Sequence, residues 1–365
     1  MKIIINTTVI IKGGGIQVAK SIIEELRDNP ENQYYIFLSS YLQEELKHLK
    51  FNDNFIFFTF PVSPSKILTR RKILKRLCEL EKKIKPDLVY SVFGPSYWKP
   101  KTIHICGFAD GWCYNPKTIA FVNLKFTEKF KIKLMILYKN FYIKKTTDHL
   151  VVETNIARKN IIKYLNYPSS NIHVIGNTCS KVYDTYQSDL VERNTYNLFT
   201  LSAYYESKNL KIINEVTKVL KYKSDKLFQF YLTIDNDIFL KLFSNNDRVF
   251  NLGPQPVENG PKLYYKYDAL FLPTLLETFS ASYPEAMKMK KPIITSNLDF
   301  AIDVCGNAAM YFNPLDPNDI AEKIIKSFNP ETKEKLIENG QTILSKLETS
   351  KSRKDKYLKV FNDIL

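Results

Sequence analysis

Several protein classes are closed to this chain by what it lacks. No stretch reaches the 18 or more apolar residues that a membrane-spanning helix needs. The five cysteines (Cys78, Cys106, Cys113, Cys179, Cys305) are odd in number, widely spread and form no CxxC pair, and the four histidines are scattered as well. That spacing argues against a disulfide framework and a zinc site, and a reducing, cytoplasmic setting is the expectation. There is no low-complexity linker, no short tandem repeat and no GxGxxG fingerprint. No helix-turn-helix, zinc-finger or aromatic RNA-binding motif is present, so nucleic acid is not an expected partner. The opening MKIIINTTVII has no small-residue cleavage site and runs into Lys12-Gly13-Gly14-Gly15. It reads as a first buried strand entering a turn, not as a signal peptide.

The 365 residues exceed one ordinary core and fit two domains. A hydrophobic content of 44% with 25% charged residues is that of a globular chain able to bury a large core. The net charge of +15 is unevenly spread. Residues 1–175 hold 28 Lys and Arg against 14 Asp and Glu, whereas the remainder holds 25 against 24. Such asymmetry suits a polyanionic partner for the first half, such as an anionic membrane surface or a phosphorylated lipid. Lysine-rich, solvated helix faces would produce the same count. Arg70, Arg71, Lys72, Lys75, Arg76, Lys82, Lys83 and Lys85 fall in one helical region. Lys125, Lys129, Lys131, Lys133, Lys139, Lys144 and Lys145 punctuate the strongly apolar run 126–143.

The first half alternates strand-like and helical patterns. Residues 2–11, 34–39, 54–60, 86–91, 101–106, 148–153 and 171–175 read as strands, with helices over 16–26 and 69–84. The second half restarts the rhythm, with strands at 198–203, 227–234, 249–252, 269–272 and 292–295 and helices at 209–220 and 282–290. This alternation predicts parallel, doubly wound α/β sheets. The boundary falls near Gly176-Asn177-Thr178. Two such domains would leave a ligand cleft at the carboxyl ends of their strands.

The most informative segment, residues 272–297, reads LPTLLETFSASYPEAMKMKKPIITSN. Glu277 and Glu285 are separated by seven residues, the first in a loop after a strand and the second entering a helix. This resembles the Glu-x7-Glu motif of the retaining family 4 (group 1) glycosyltransferases. Lys291-Pro292-Ile293-Ile294-Thr295, Gly306-Asn307-Ala308-Ala309 and Phe312-Asn313-Pro314-Leu315-Asp316-Pro317 resemble that family's later landmarks in order. The resemblance implies the GT-B fold: two Rossmann-like domains, residues 1–176 and 177–347, with an inter-domain cleft. Residues 348–365 would be the C-terminal crossover helix. It also implies a nucleotide-sugar donor, a saccharide acceptor and no cofactor or metal.

Site roles follow from the same resemblance. Carboxylates accept hydrogen bonds from paired hydroxyls, so Glu285 suits the donor's ribose and Glu277 the transferred sugar. Thr278, Phe279, Ser280 and Ala281 can present backbone N–H groups to the diphosphate. Gly14 and Gly15, after the first strand, would let backbone approach a ligand closely. A tight turn would need the same glycines. In Leu201-Ser202-Ala203-Tyr204-Tyr205-Glu206-Ser207-Lys208, Lys208 matches a family lysine that neutralises the leaving diphosphate, and Ser202 is a further donor contact. Ala203 stands where the family usually carries an arginine; one lost charge-assisted contact to phosphate is worth on the order of 1.5–3 kcal/mol. On the acceptor side the candidates are His104, Gly94 and Asn177, with Asp110 as a catalytic candidate in the loop beyond the fifth strand.

The expected reaction is transfer of a hexosyl-type sugar with retention, the acceptor being lipid-diphosphate-linked, as in bacterial surface polysaccharide (O-antigen or capsule) synthesis. The enzyme would sit in the cytoplasm, at the inner face of the plasma membrane. Two alternatives stand beside it: a catalytically silent partner that only binds sugar nucleotides, to which Ala203 points, and a nucleotide-sugar epimerase of the same fold.

Overall fold

A computed structural model describes residues 1–11, 13–184 and 195–365. The chain divides into two compact units. The first comprises Met1–Pro116, Thr127–Asn177 and Glu348–Leu365; the second comprises Lys117–Phe126 and Thr178–Leu347. Residues 117–126, placed with the first half by sequence, thus group with the second unit.

The first unit is built on seven parallel strands: β1 (Lys2–Asn6), β2 (Gln33–Ser39), β3 (Phe55–Phe60), β4 (Leu88–Ser91), β5 (Ile103–Gly107), β6 (His149–Val152) and β7 (Ile172–Val174). Their spatial order is β3-β2-β1-β4-β5-β6-β7. Ile3, Ile4 and Ile5 are fully buried, as a strand covered on both faces requires. The expected strand over 2–11 stops at Asn6. The Asn6 side chain turns back to accept from the Thr8 backbone and hydroxyl, which starts a turn.

The second unit repeats the plan with six parallel strands: β8 (Tyr196–Thr200), β9 (Phe228–Leu232), β10 (Val249–Asn251), β11 (Ala269–Leu272), β12 (Ile293–Ser296) and β13 (Ala309–Phe312). The order β10-β9-β8-β11-β12-β13 is the same permutation, third-second-first-fourth-fifth-sixth. In both sheets the order reverses between the first and fourth strands, and the crevice outside the carboxyl ends there is the usual ligand position. The helix expected over 209–220 begins as an α-helix only at Ile213, because Asn209 adopts a left-handed conformation (φ 55°). β13 was not read as a strand.

The helix Ser350–Ile364 belongs to the first unit, where Arg353, Tyr357 and Phe361 are buried. Tyr357 and Phe361 pack on Tyr90 of β4. Arg353 makes a two-pronged pair with Glu25 of the helix Gly14–Leu26, at 2.7 and 2.9 Å. Both side chains are almost wholly shielded from water. Arg353 also donates to Ser21 Oγ (2.6 Å) and to Asn177. Among the described residues no helix is long and apolar enough to cross a membrane.

Candidate functional site

At the β8/β11 switch point the structure joins two residues that lie far apart in sequence. The turn following β8 ends in the short 3-10 helix Glu206–Lys208, and the loop following β11 carries Glu277. Lys208 Nζ contacts Glu277 Oε1 directly, and each side chain is about one-sixth exposed (15% and 17%). The pairing is enforced by backbone. Leu275 N–H donates to Ser207 O (2.7 Å), and Thr274 Oγ1 donates to the same carbonyl (3.2 Å). Asn209, whose strained backbone terminates the turn, donates from Nδ2 to Pro314 O (2.8 Å) and accepts from Asn123 Nδ2 (2.8 Å). Thr118 Oγ1 donates to Leu275 O at 3.3 Å. The 117–126 segment therefore braces both loops, a role that no sequence motif announces.

Glu285 lies in the helix Ser282–Lys288 and is buried. Burial pushes its carboxyl up to about 7, although hydrogen bonds from the Tyr183 and Tyr264 hydroxyls pull the other way. Tyr264 Oη is 3.3 Å from Glu285 Oε2 and 3.0 Å from Ser282 O. Tyr183 Oη lies against Gly260, where an added Cβ would come within 2.0 Å of it. Only glycine fits there. The tyrosine pair and Gly260 were not anticipated from sequence, since they come from elements 21 or more residues away.

The remaining donor-side candidates of the second unit gather on the same edge. The Ser202 N–H donates to Thr233 Oγ1 (3.0 Å), and the Ser202 hydroxyl donates to Ala203 O (2.9 Å). Ala203 is exposed. Phe279 packs against the core of the second unit, Ser280 is buried and Ala281 is exposed. Ser282 Oγ reaches Leu201 O at 3.5 Å, which links this loop to the one after β8. Thr278 lies next to Glu277 and is half-buried.

The first unit tells a different story. Gly13 takes φ 71° and the helix Gly14–Leu26 starts immediately after it, while Lys12 lies outside the described residues. A Cβ on Gly14 would meet nothing within 4 Å, so that backbone is open to approach, whereas one on Gly15 would touch Ile10 and Phe93. His104, expected to face the acceptor, is corrected to an interior position: it is fully buried in β5. Its Nδ1 meets Thr146 O (2.5 Å) and its Nε2 meets Ser91 Oγ (2.8 Å). A carbonyl only accepts, so Nδ1 carries the proton and Nε2 accepts from Ser91. Burial drives its pKa down to about 4, which leaves it neutral and without a free nitrogen.

Gly94 precedes a cis proline and packs so closely on β5 that a Cβ would lie 2.3 Å from Cys106 Sγ. Asn177, also expected to meet the acceptor, is instead engaged by Arg353 and Glu153. Asp110 caps the turn Gly111–Tyr114 by accepting from Trp112 N–H (3.2 Å) and pairs with Lys139 at 2.6 Å. Burial alone would lower Lys139, but the Asp110 carboxylate outweighs it and holds the ammonium above its ordinary value.

Two Rossmann-type sheets of this permuted order, with the last helix returned to the first unit, constitute the GT-B fold of glycosyltransferases. Residues 239–343 match the family model of the glycosyl transferases group 1, a span that includes both Glu277 and Glu285. An O-antigen chain mannosyltransferase B of Escherichia coli is 22% identical over 199 residues, covering 50% of this chain and 52% of that protein. The chain thus spans about half the length of the curated relative that it matches. Among solved structures, a glycosyltransferase from Rickettsia africae superposes with a TM-score of 0.74 at 15% identity, covering 100% of this chain and 98% of that one. Anabaena HepE, solved with UDP and glucose, gives 0.72 at 14% identity with 100% of both chains covered.

Proposed function

We propose that this chain is a retaining glycosyltransferase that moves a hexosyl-type sugar from a nucleotide-sugar to a saccharide acceptor. The observation that carries the reading is the convergence of Lys208 and Glu277 at the β8/β11 switch point, one loop away from Glu285. Without ligand the ammonium and the carboxylate satisfy each other. A donor would compete for both, its diphosphate for Lys208 and its sugar hydroxyls for Glu277. Glu285 would accept from the ribose diol, with the 278–281 backbone and Ser202 beside the phosphates and the open Gly14 backbone as a further approach.

In this mechanism the bond from the anomeric carbon to the phosphate oxygen breaks as the acceptor oxygen attacks the same face. The acceptor's proton passes to the departing phosphate oxygen. Lys208 and backbone amides stabilise the charge that develops there, so no metal or cofactor is invoked. Asp110 is the first-unit carboxylate proposed to meet the acceptor hydroxyl. The basic first unit favours an acceptor carried on a lipid diphosphate at the cytoplasmic face of a membrane, within O-antigen or capsule synthesis. The relationship to an O-antigen mannosyltransferase supports this choice.

A thermal-shift screen with UDP, GDP, dTDP and their sugars, followed by turnover of whichever stabilises the chain, tests the proposal. Ligand binding raises the melting temperature, and the product's anomeric configuration reads out retention. No stabilisation by any nucleotide sugar would overturn it. Ala203 favours one other reading, a silent partner that binds donor without transferring; stabilisation with neither transfer nor hydrolysis would select it.

A further inference from the structure

The helix Phe126–Thr146 has two apolar faces, and the fold uses only one of them. Ile143 and Thr146 are buried on the inner side. On the other side Phe130, Leu134, Leu137 and Phe141 recur at helical spacing and are each between 51% and 68% exposed. Globular proteins rarely leave so continuous an apolar stripe in water without a partner. Lys131, Lys133, Lys144 and Lys145 flank the stripe, and Glu128 is the helix's sole acid. Lys129, Lys131, Lys133 and Lys144 pair with no carboxylate among the described residues. Lys139, on the opposite side, is turned inward to Asp110 and takes no part.

A second helix adjoins the first. Ile67–Ile84 begins with Ile67 and Leu68, the latter fully exposed, followed by the exposed cations Arg71 and Lys72. Arg70, counted by sequence among the surface cations, is instead buried and fastens the two helices. Its guanidinium lies 4.3 Å from the Tyr97 ring, 5.3 Å from Tyr142 and 5.7 Å from Tyr138. It also donates to the hydroxyls of Tyr138 and Tyr142 and to the carbonyls of Pro64 and Ser65. Among the described residues no carboxylate pairs with it, and the tyrosines and carbonyls hold the charge. The clamp makes the two helix surfaces one rigid element.

We propose that the outer face of Phe126–Thr146, with the first turn of Ile67–Ile84, docks in the plane of an anionic lipid bilayer. Phe130, Leu134, Leu137, Phe141 and Leu68 enter the acyl boundary, and the flanking lysines meet lipid phosphates. Charge decides the occupant. A second copy of the chain docking symmetrically would set this cationic rim against itself, whereas an anionic headgroup layer complements it. The proposal rests on the membrane-carried acceptor of the preceding section and names the surface that would bring the chain to it.

The test is co-sedimentation of the full chain with vesicles of phosphatidylglycerol and phosphatidylcholine, against phosphatidylcholine alone, at low and high salt. Binding is expected to the anionic vesicles and to be reversed by salt. Leu134→Asp combined with Leu137→Asp should lower it at least tenfold, with an unchanged melting temperature. Lys133→Gln and Lys144→Gln should each lower it about fivefold. Failure of the wild type to sediment, or indifference to Leu134→Asp/Leu137→Asp, would overturn the proposal. So would a concentration-dependent dimer abolished by that double variant. The docking and transferase readings fail separately: lost vesicle binding leaves turnover on a soluble acceptor intact, and absent turnover leaves vesicle binding intact.

Discussion

The two sheets share one strand permutation, yet the two units use their buried polar groups differently. In the first unit several polar groups are buried and committed to the fold: Asn177 and Glu25 to Arg353, and His104, near the start of β5, to Ser91 and Thr146. In the second unit the edge at the β8/β11 switch point keeps a lysine and a carboxylate paired with each other at partial exposure, and a glutamate held at a pKa of about 7 by burial. Under the proposed function, the contrast separates polar groups that hold the chain from polar groups that a donor would engage.

Substitutions can break that contrast from either side. The largest effect is expected at the first unit's buried pair: Arg353→Met should destabilise the chain by about 3–5 kcal/mol, because it leaves Glu25 buried and uncompensated. Chemical denaturation reads this out, and a loss below about 1 kcal/mol would mean that the pair is solvated in solution. Glu277→Ala should instead leave stability nearly unchanged while lowering turnover roughly 100-fold or more, measured as sugar transfer per enzyme. Full activity would remove Glu277 from the mechanism.

Next in size is the pH response of Glu285. A diol ligand needs the carboxylate, so donor affinity should rise about tenfold between pH 6 and pH 8, and Glu285→Gln should abolish that slope in calorimetric titrations. The same group makes a stability statement. Folding raises its pKa from 4.5 to about 7, so the native chain takes up a proton across that window. Stability of the ligand-free chain should therefore fall as pH rises through it, and Glu285→Gln should flatten the decline. Ala203→Arg, restoring a cation beside the phosphates, should tighten nucleotide binding about tenfold if the site is a donor site. The smallest change is expected for Lys139→Met, at about 1 kcal/mol or less of stability, since that pair retains some solvent contact.

Much of the fold was legible because its strands are short, continuous apolar runs separated by amphipathic helices. The start of β1 and the bounds of the helix Gly14–Leu26 were readable to within two residues, but the end of β1 was not, because apolar residues resume directly after the turn at Asn6 and Thr8. So was the order of events around Glu277 and Glu285, since loop, helix and next strand are adjacent in sequence. His104 was less legible: a histidine within a strand pattern reveals its side of the sheet only when Thr146 and Ser91 are seen against it. Asn177 looked like a loop residue open to ligand because its partner lies 176 residues away. Arg70 and Lys139 counted toward a basic surface, yet each is drawn inward by groups on other elements, Arg70 by three tyrosines and Lys139 by Asp110.

The sequence by itself determined the alternation of strands and helices, the excess of positive charge in the first half and the motif spacing around Glu277 and Glu285. Those are properties of neighbouring residues, set by backbone periodicity and local composition. Tertiary structure decided which charges meet. Lys208 finds Glu277 because parallel strands far apart in sequence become neighbours, and Glu285 is raised to about 7 because folding buries it, against the pull of the Tyr183 and Tyr264 hydroxyls. Burial and pairing depend on distances through space, and only the folded chain fixes those.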